Sequence, residues 1–223
     1  MARLKFGTWG PMIGKLANTV GYLRKGIAMI RMKPKPSTKK RTNKQKATTQ
    51  RFQIIIKFVA TINDFTNAGF NVAARKVSPT AQNLAVSYNT KNAMVGEYPN
   101  QQIDYSKVRV CEGKLPLADD INITLEDQGS NVKILFSWEP GSTDYPRSRD
   151  QVMMLAYMPE RRKGVFLDSG ARRLEGHDSL TIKKNTGNVY QPNVATYAEV
   201  YIAFVANDRN SISNSLYCGR FDF

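Results

Sequence analysis

Apolar residues change their spacing along this 223-residue chain. From about Thr48 they recur every three or four positions, which predicts an amphipathic helix with a broad apolar face. Thr48 or Thr49 is expected to cap the start of this helix, and Asn67-Ala68-Gly69 to end it. A second, weaker helix is predicted over residues 80–88. The apolar face of the first helix consists of Phe52, Ile55, Ile56, Val59, Ile62 and Phe65.

After Tyr105 the apolar residues alternate with polar ones, as they do in half-buried strands. Gly, Pro, Asn and Asp mark the turns between these runs, and several short strands at this spacing are typical of an antiparallel β-sandwich. The predicted strands cover residues 108–110, 121–125, 132–138, 152–157, 165–167, 180–182, 197–205 and 212–217.

The N-terminal part differs from both regions. Two short apolar runs within residues 20–32 flank Arg24-Lys25-Gly26, which predicts a β-hairpin. Residues 33–46 contain Pro34 and Pro36, many cations and no acid, so this segment is expected to be extended, and disordered when alone in water. The predicted organisation is a hairpin and basic arm at 1–46, a helical linker region at 47–103 and a sandwich at 104–223.

The sandwich region has an internal landmark. Trp138-Glu139-Pro140 ends one strand, and alternating apolar residues at 201–207 lead into a Ser-rich turn. These features, over about residues 104–223, resemble a fibronectin type III or immunoglobulin-like module. The fold class expected from this resemblance is mainly β: an N-terminal hairpin and arm, one or two helices, and an Ig/FnIII-like antiparallel sandwich. A generic antiparallel sandwich is the alternative.

The positive charge lies at one end of the chain. Residues 1–63 contain 15 Lys or Arg and no acid, whereas the other 160 residues hold 18 basic and 18 acidic side chains, so the net charge of +15 comes from the first quarter. This asymmetry predicts a polyanion or an acidic protein surface as a partner. The candidate contact residues are Lys33, Lys35, Lys39, Lys40, Arg41, Lys44, Lys46 and Arg51.

The composition of the arm also limits how it could bind nucleic acid. No aromatic residue stands between Lys33 and Arg51, so stacking on bases within the arm is not expected. Contacts would be made to phosphates alone. Nucleic-acid binding by the arm is therefore expected to be non-specific and strongly salt-sensitive.

Other chemistry finds little support in the sequence. Residues 10–16 resemble a phosphate-binding loop, but the spacing is one residue short and Leu16 stands where a hydroxyl should bind magnesium. His177 and Asp178 are neighbours on a predicted strand, so they point to opposite faces. Cys111 and Cys218 are expected to be reduced, buried thiols. We expect no metal, cofactor or small-molecule substrate.

Three stretches of the sequence resemble those of a known protein family, and the resemblance covers nearly all of the chain. They are "GKLANTVGYLRKGIAMIRMKPKP", the helix start "TNKQKATTQRF" and "VGEYPNQQIDYSKVRVCEGKLP". They resemble a family of uncharacterised proteins of about 220 residues from Bacteroidota and their phages. Many members of that family carry Ser-x-Gly where this chain has Cys111-Glu112-Gly113. The resemblance implies a bacterial or phage setting and no catalytic motif.

Three functions are compatible with these patterns. The first is a non-enzymatic structural or assembly protein of virion type, forming homo-oligomers or larger assemblies through its N-terminal arm. The second is a non-specific nucleic-acid-binding accessory protein, and the third, an enzyme, lacks a catalytic constellation. Exposed Phe6, Trp9, Met12 and Ile13 favour packing of the N-terminus on another subunit. With no apolar run of about 18 residues and no cleavable signal, we expect no membrane partner and a virion or bacterial cytoplasmic location.

Overall fold

The polypeptide divides between Arg41 and Thr42 into two units, which we call the N-terminal unit (residues 1–41) and the body (residues 42–223). The division falls inside the predicted basic arm. Phe6 and Trp9 lie outside the described residues. The computed structural model describes residues 2–3, 10–24, 26–36, 38–75, 77, 79–141, 147–184 and 197–223.

An antiparallel sheet forms the N-terminal unit, with strand order β1-β4-β3-β2. The predicted hairpin is confirmed as β3 and β4, with Thr19 opposite Met32 and Arg24 opposite Ile27. Gly26 in the turn has a φ of +75°, which a residue without a Cβ adopts without strain. The strands are β1 (Ala2–Arg3), β2 (Gly14–Leu16), β3 (Thr19–Arg24) and β4 (Ile27–Met32).

The helices of the body begin and end at different residues from those predicted. The start predicted at Thr48 is wrong, because Thr42 caps the first helix: its hydroxyl accepts from Gln45 N at 3.3 Å, and the Gln45 side chain accepts from Thr42 N at 3.0 Å. Lys44 and Lys46 are therefore helical rather than extended. The helices of the described residues are α1 (Asn43–Thr61), α2 (Asn63–Arg75) and α3 (Ala81–Asn92).

The predicted stop at Gly69 is also wrong. The break comes earlier, at Ile62, and Gly69 lies inside α2. A Cβ at Gly69 would stand 2.4 Å from the Val110 carbonyl oxygen and 2.7 Å from Cys111 Sγ. Glycine is thus required by the close approach of another segment rather than by a helix end. The second predicted helix is confirmed as α3, although it continues to Asn92.

The apolar face predicted for the first helix is only partly buried. Ile55, Val59 and Ile62 are fully enclosed in the core. Phe52 and Ile56 are exposed, because they lie on the side of α1 that turns away from that core. The buried stripe of α1 is therefore shifted from the predicted one, since Phe58, which the predicted face does not include, is also buried.

Two antiparallel sheets dominate the body, with strand orders β10-β9-β12-β13 and β11-β8-β7, and β5 pairs with β6 in a small ribbon. The strands are β5 (Met94–Val95), β6 (Gln102–Ile103), β7 (Asn122–Gln128), β8 (Asn131–Ser137), β9 (Gln151–Met158), β10 (Lys163–Leu167), β11 (His177–Lys183), β12 (Tyr197–Val205) and β13 (Leu216–Asp222). The fold is mainly β, as predicted, and is consistent with a β-sandwich.

Two predicted strand segments differ from the structure. Residues 108–110 are not a strand: Arg109 N donates to Asn89 Oδ1 at 2.8 Å and Val110 N donates to Ser215 Oγ at 3.0 Å. Side chains thus take the place of a neighbouring strand in satisfying the backbone. Ile212 forms only an isolated bridge with Val205, and β13 starts later, at Leu216.

Strand β12 shows how the body is layered. Tyr201 and Ala203 belong to a core shared with the helices, whereas Val200 and Ile202 belong to a core shared with the three-stranded sheet. The four-stranded sheet is therefore covered on both faces, which explains why β9 and β12 are apolar throughout. None of the helices in the described segments is long and apolar enough to cross a membrane.

Candidate functional site

All eight predicted contact residues are exposed, but they belong to different units. Five lie in the N-terminal unit: Lys33, Lys35, Lys39, Lys40 and Arg41. Three lie on α1 of the body: Lys44, Lys46 and Arg51. In the predicted basic arm, the described residues before Asn43 belong to no helix or strand, and the residues from Asn43 form the first turns of α1.

Lys33 is held in place directly after β4. Its backbone N–H donates to the Asn18 carbonyl at 2.7 Å, and its Nζ donates to the Ala17 carbonyl at 2.5 Å. Both acceptors belong to the turn between β2 and β3. Lys33 therefore helps to fix this end of the sheet, although its side chain is exposed.

The first turn of α1 carries Lys44 and contains no acid. The N-terminus of a helix already has a partial positive charge, because its first N–H groups lack intrahelical partners. Cations there lower helix stability and raise the local positive potential. This end of α1 is better suited to attracting an anionic surface than to stabilising the helix.

Arg51 has a structural partner within the body. In the orientation that satisfies both ends of the Gln101 amide, its oxygen accepts from Arg51 Nε at 2.9 Å and its nitrogen donates to the Ala47 carbonyl at 3.0 Å. Gln50 Nε2 donates to the Pro99 carbonyl at 2.7 Å. These contacts tie α1 to the loop before β6, so Arg51 is less available to a partner than the lysines in the first turns of α1.

The N-terminal sheet has two different faces, which the strand register defines. Lys15, Val20 and Arg31 lie opposite one another across three strands, and Tyr22 and Arg24 follow on the same side. We call this side the basic face. The other side, the uncharged face, carries Leu16, Thr19, Gly21, Leu23, Ala28, Ile30 and Met32. Every cation of β2, β3 and β4 is thus on one face.

Three large apolar side chains of the uncharged face are open to solvent, and one of them, Leu23, is 48% exposed. Leu16 is 61% exposed and Met32 is 72% exposed, and both lie beside Thr19 in one cross-strand row. The side chains of residues 20–24 and 27–31 alternate between the two faces of the sheet. Once the turn between these strands is placed, this alternation could have revealed which face carries the cations.

The segment before β2 includes two of the apolar residues that the sequence predicts to be exposed. Ile13 is 66% exposed, whereas Met12 is half-buried. The chain passes closely over β3 here, since a Cβ at Gly21 would stand 2.1 Å from the Met12 carbonyl oxygen. The expectation of exposure is therefore confirmed for Ile13 and wrong for Met12, which packs on its own sheet.

The side chains considered for catalysis do not converge. His177 is exposed, with Nδ1 2.9 Å from the Glu175 carbonyl oxygen. Asp178 accepts from Ala171 N and from Ser179 N, each at 2.7 Å. The two side chains point to opposite faces of β11, so the carboxylate does not orient the imidazole.

A cavity of about 310 Å³ lies in the body between α2 and the four-stranded sheet. Val72, Met153 and other apolar residues line it, and Arg209 stands among the lining residues. The Arg209 guanidinium donates to Gln151 Oε1 at 2.6 Å and to Ser169 Oγ at 2.8 Å. This arginine is therefore engaged in tying loops together.

A buried carboxylate lies on β12. Glu199 is 5% exposed, and its Oε2 accepts from the Tyr217 hydroxyl at 2.6 Å. Burial raises the pKa of Glu199 above its ordinary value, although the hydrogen bond from Tyr217 opposes this. The raised pKa is explained by burial and does not by itself indicate a catalytic role.

The described residues give little support for a metal site or a reactive thiol. Among the described residues, no three His, Cys, Asp or Glu side chains are grouped so that they could hold a metal ion. Cys111 is a buried free thiol and Cys218 a half-buried one. Burial raises the pKa of both, that of Cys218 to about 12. Neither sulfur is therefore activated as a thiolate near neutral pH.

A family model described as a family of unknown function (DUF6266) matches residues 7–219. The chain belongs to this family. The match spans most of the N-terminal sheet, the helices and nearly the whole sandwich, so it includes the candidate basic surfaces. No curated protein and no solved structure matches the chain.

Proposed function

We propose that this protein is a non-enzymatic structural protein whose N-terminal unit makes contacts between subunits or with a partner. The exposure of Leu16 and Met32 on the uncharged face carries this proposal. Large apolar side chains grouped on a surface favour contact with another protein. The cations of the arm would then steer the approach of a neighbour and order on contact. A virion or bacterial cytoplasmic setting is part of the same proposal.

We also infer that the two facing sheets are an immunoglobulin- or fibronectin type III-like module. When the seven strands from β7 to β13 are lettered A, B, C, C′, E, F and G in chain order, one sheet contains A, B and E and the other C′, C, F and G. An immunoglobulin sandwich divides these strands in the same way. A crystal structure with a different strand order would contradict the assignment.

Light scattering coupled to size exclusion tests assembly, with nuclease-treated protein at low and high salt. A particle mass well above the 25.1 kDa of one chain, with a protein-like absorbance ratio in both salts, is expected. A protein that stays monomeric at all concentrations would contradict the proposal. Replacing the eight cations by Gln then shows whether the arm makes the contacts, because assembly that survives this change must use the sheet or the sandwich.

Two matched double variants locate the contact. Leu16→Gln with Met32→Gln replaces the two most exposed apolar side chains of the uncharged face and is expected to shift the protein toward monomer. Ile27→Gln with Leu174→Gln changes two exposed apolar side chains away from that face, which are 43% and 41% exposed. Equal effects of the two pairs would mean that the uncharged face is not the contact.

The second candidate function is non-specific nucleic-acid binding. The exposure of the eight cations and the absence of acids in residues 1–63 favour it. The logarithm of the affinity for phosphates falls linearly with the logarithm of salt concentration. Loss of affinity toward half-molar salt is expected, whereas assembly through apolar contacts persists there.

A further inference from the structure

We infer that the basic face of the N-terminal sheet binds single-stranded nucleic acid, with Lys15, Arg24 and Arg31 contacting phosphates and Tyr22 stacking on a base. This inference rests on the second candidate function and narrows it to a surface outside the eight arm residues. It places the contact on a folded sheet rather than on an extended segment.

The register of the strands brings the proposed contact residues to one face of the sheet. Lys15 and Arg31 lie in one cross-strand row with Val20 between them, so their backbones are about 10 Å apart, two strand spacings. Arg24 lies two residues beyond Tyr22 on the same side of β3. Three cations therefore share one face of the folded sheet with one aromatic ring.

These cations are available to a ligand. Lys15, Arg24 and Arg31 are all exposed. Among the described residues, none of them forms an ion pair with a carboxylate. Residues 1–41 contain 11 Lys or Arg and no acid, so the N-terminal unit offers no internal counter-charge. A polyanion is the partner whose charge complements this surface.

Tyr22 favours single-stranded over double-stranded nucleic acid as the partner. The guanidinium carbon of Arg31 lies over the ring of half-buried Tyr22, 5.8 Å from its centroid, so a cation is held next to an aromatic ring. Proteins that bind single strands combine such cations with rings on which bases stack. The bases of a duplex are already stacked on each other and cannot reach the ring. The pair therefore favours a single strand over a duplex.

Fluorescence anisotropy with a labelled oligothymidylate tests the surface on the full chain. The face variant combines Lys15→Gln, Arg24→Gln and Arg31→Gln. Its control combines Lys35→Gln, Lys40→Gln and Arg41→Gln, which removes the same charge from the same unit. The face variant is expected to lose at least tenfold in affinity. The slope of log affinity against log salt concentration should fall in magnitude by about 2, because each of the three lost phosphate contacts contributes about 0.7 to it. Equal losses in the two variants would overturn the inference.

Tyr22 is tested separately, because substitutions in a small sheet can disturb folding. Tyr22→Phe keeps the ring and is expected to bind like the natural protein. Tyr22→Leu is expected to lose about fivefold or more for the single strand, the effect of one stacked base, and to keep its affinity for a duplex. Equal affinity of Tyr22→Leu and Tyr22→Phe for the single strand would overturn the stacking role.

The experiment separates two kinds of failure. If the natural protein binds no oligonucleotide even at low salt, the second candidate function itself is wrong. If the natural protein binds but only the arm control weakens binding, nucleic-acid binding stands and the basic face is not its site.

Discussion

The Arg173 guanidinium lies 3.8 Å from the Asp150 carboxylate, and each residue is only 4% exposed. The same guanidinium donates to the carbonyls of Pro116 at 2.7 Å and Leu117 at 3.1 Å, and its carbon stands 4.4 Å from the ring centroid of Phe204. One arginine therefore ties the segment before β7 to the core of the sandwich. Burial raises the pKa of Asp150, and the charge of Arg173 opposes that rise.

We expect Arg173→Leu to lower the free energy of unfolding by about 3–5 kcal/mol, because it leaves a buried carboxylate without its counter-charge and two carbonyls without their donor. Urea denaturation followed by circular dichroism measures this loss. Arg172→Leu is the control, since the neighbouring side chain is exposed and its replacement should change stability by less than about 0.5 kcal/mol. Similar losses in both variants would show that the buried contacts contribute little.

Glu199 predicts a pH dependence of stability. Its pKa in the folded protein lies above the ordinary value of 4.5, so between the two values the folded state binds more protons than the unfolded state. The contribution of Glu199 to stability therefore falls as pH rises from about 4.5 through the folded value. Glu199→Gln removes this fall, and its stability relative to the natural protein should increase over that range.

Urea denaturation at several pH values checks this prediction. Glu97→Gln, at an exposed position, serves as the control for the exchange of glutamate for glutamine. A Glu199→Gln profile parallel to that of the natural protein would contradict the prediction.

Local patterns were enough to predict most strands of the sandwich, because alternation in β7 and β8 reports directly on which side chains enter the core. Local patterns failed where contact with a segment distant in the chain determines the residue type or the position of a side chain. Gly69 has the character of a helix end, yet the approach of Val110 explains a glycine inside α2. The basic face was missed because it depends on pairing between strands: Lys15 and Arg31 are 16 positions apart in the chain and meet only through the register.

Gly69→Ala separates helix propensity from packing. In an isolated helix alanine would be favoured by about 1 kcal/mol over glycine. Here the new Cβ would meet the Val110 carbonyl oxygen at 2.4 Å, so we expect a net loss of about 1–3 kcal/mol. Asn67→Ala, at an exposed position of the same helix, should not destabilise the protein. Thermal and urea unfolding of both variants measure the difference, and a Gly69→Ala protein as stable as Asn67→Ala would show that the two segments can move apart.

Lys44→Glu should raise stability while weakening any polyanion contact. Its position in the first turn of α1, where no acid is present, opposes the helix dipole, so the reversal is expected to add about 0.3–1 kcal/mol at low salt. Lys57→Glu makes the same change near the other end of α1 and should not stabilise. Urea unfolding at low and high salt measures both, and the gain should shrink in high salt because screening weakens the dipole interaction.

Polyanion binding measured on the same two variants shows whether Lys44 contributes to binding of a partner or to stability of the helix. A more stable Lys44→Glu protein that binds polyanions less well would indicate that Lys44 serves a partner rather than the fold. The Lys57→Glu protein carries the same change in net charge, so a loss of binding common to both variants would reflect overall charge and not this position. If the stability of Lys44→Glu instead falls at low salt, the Thr42 cap and not the dipole governs this end of the helix.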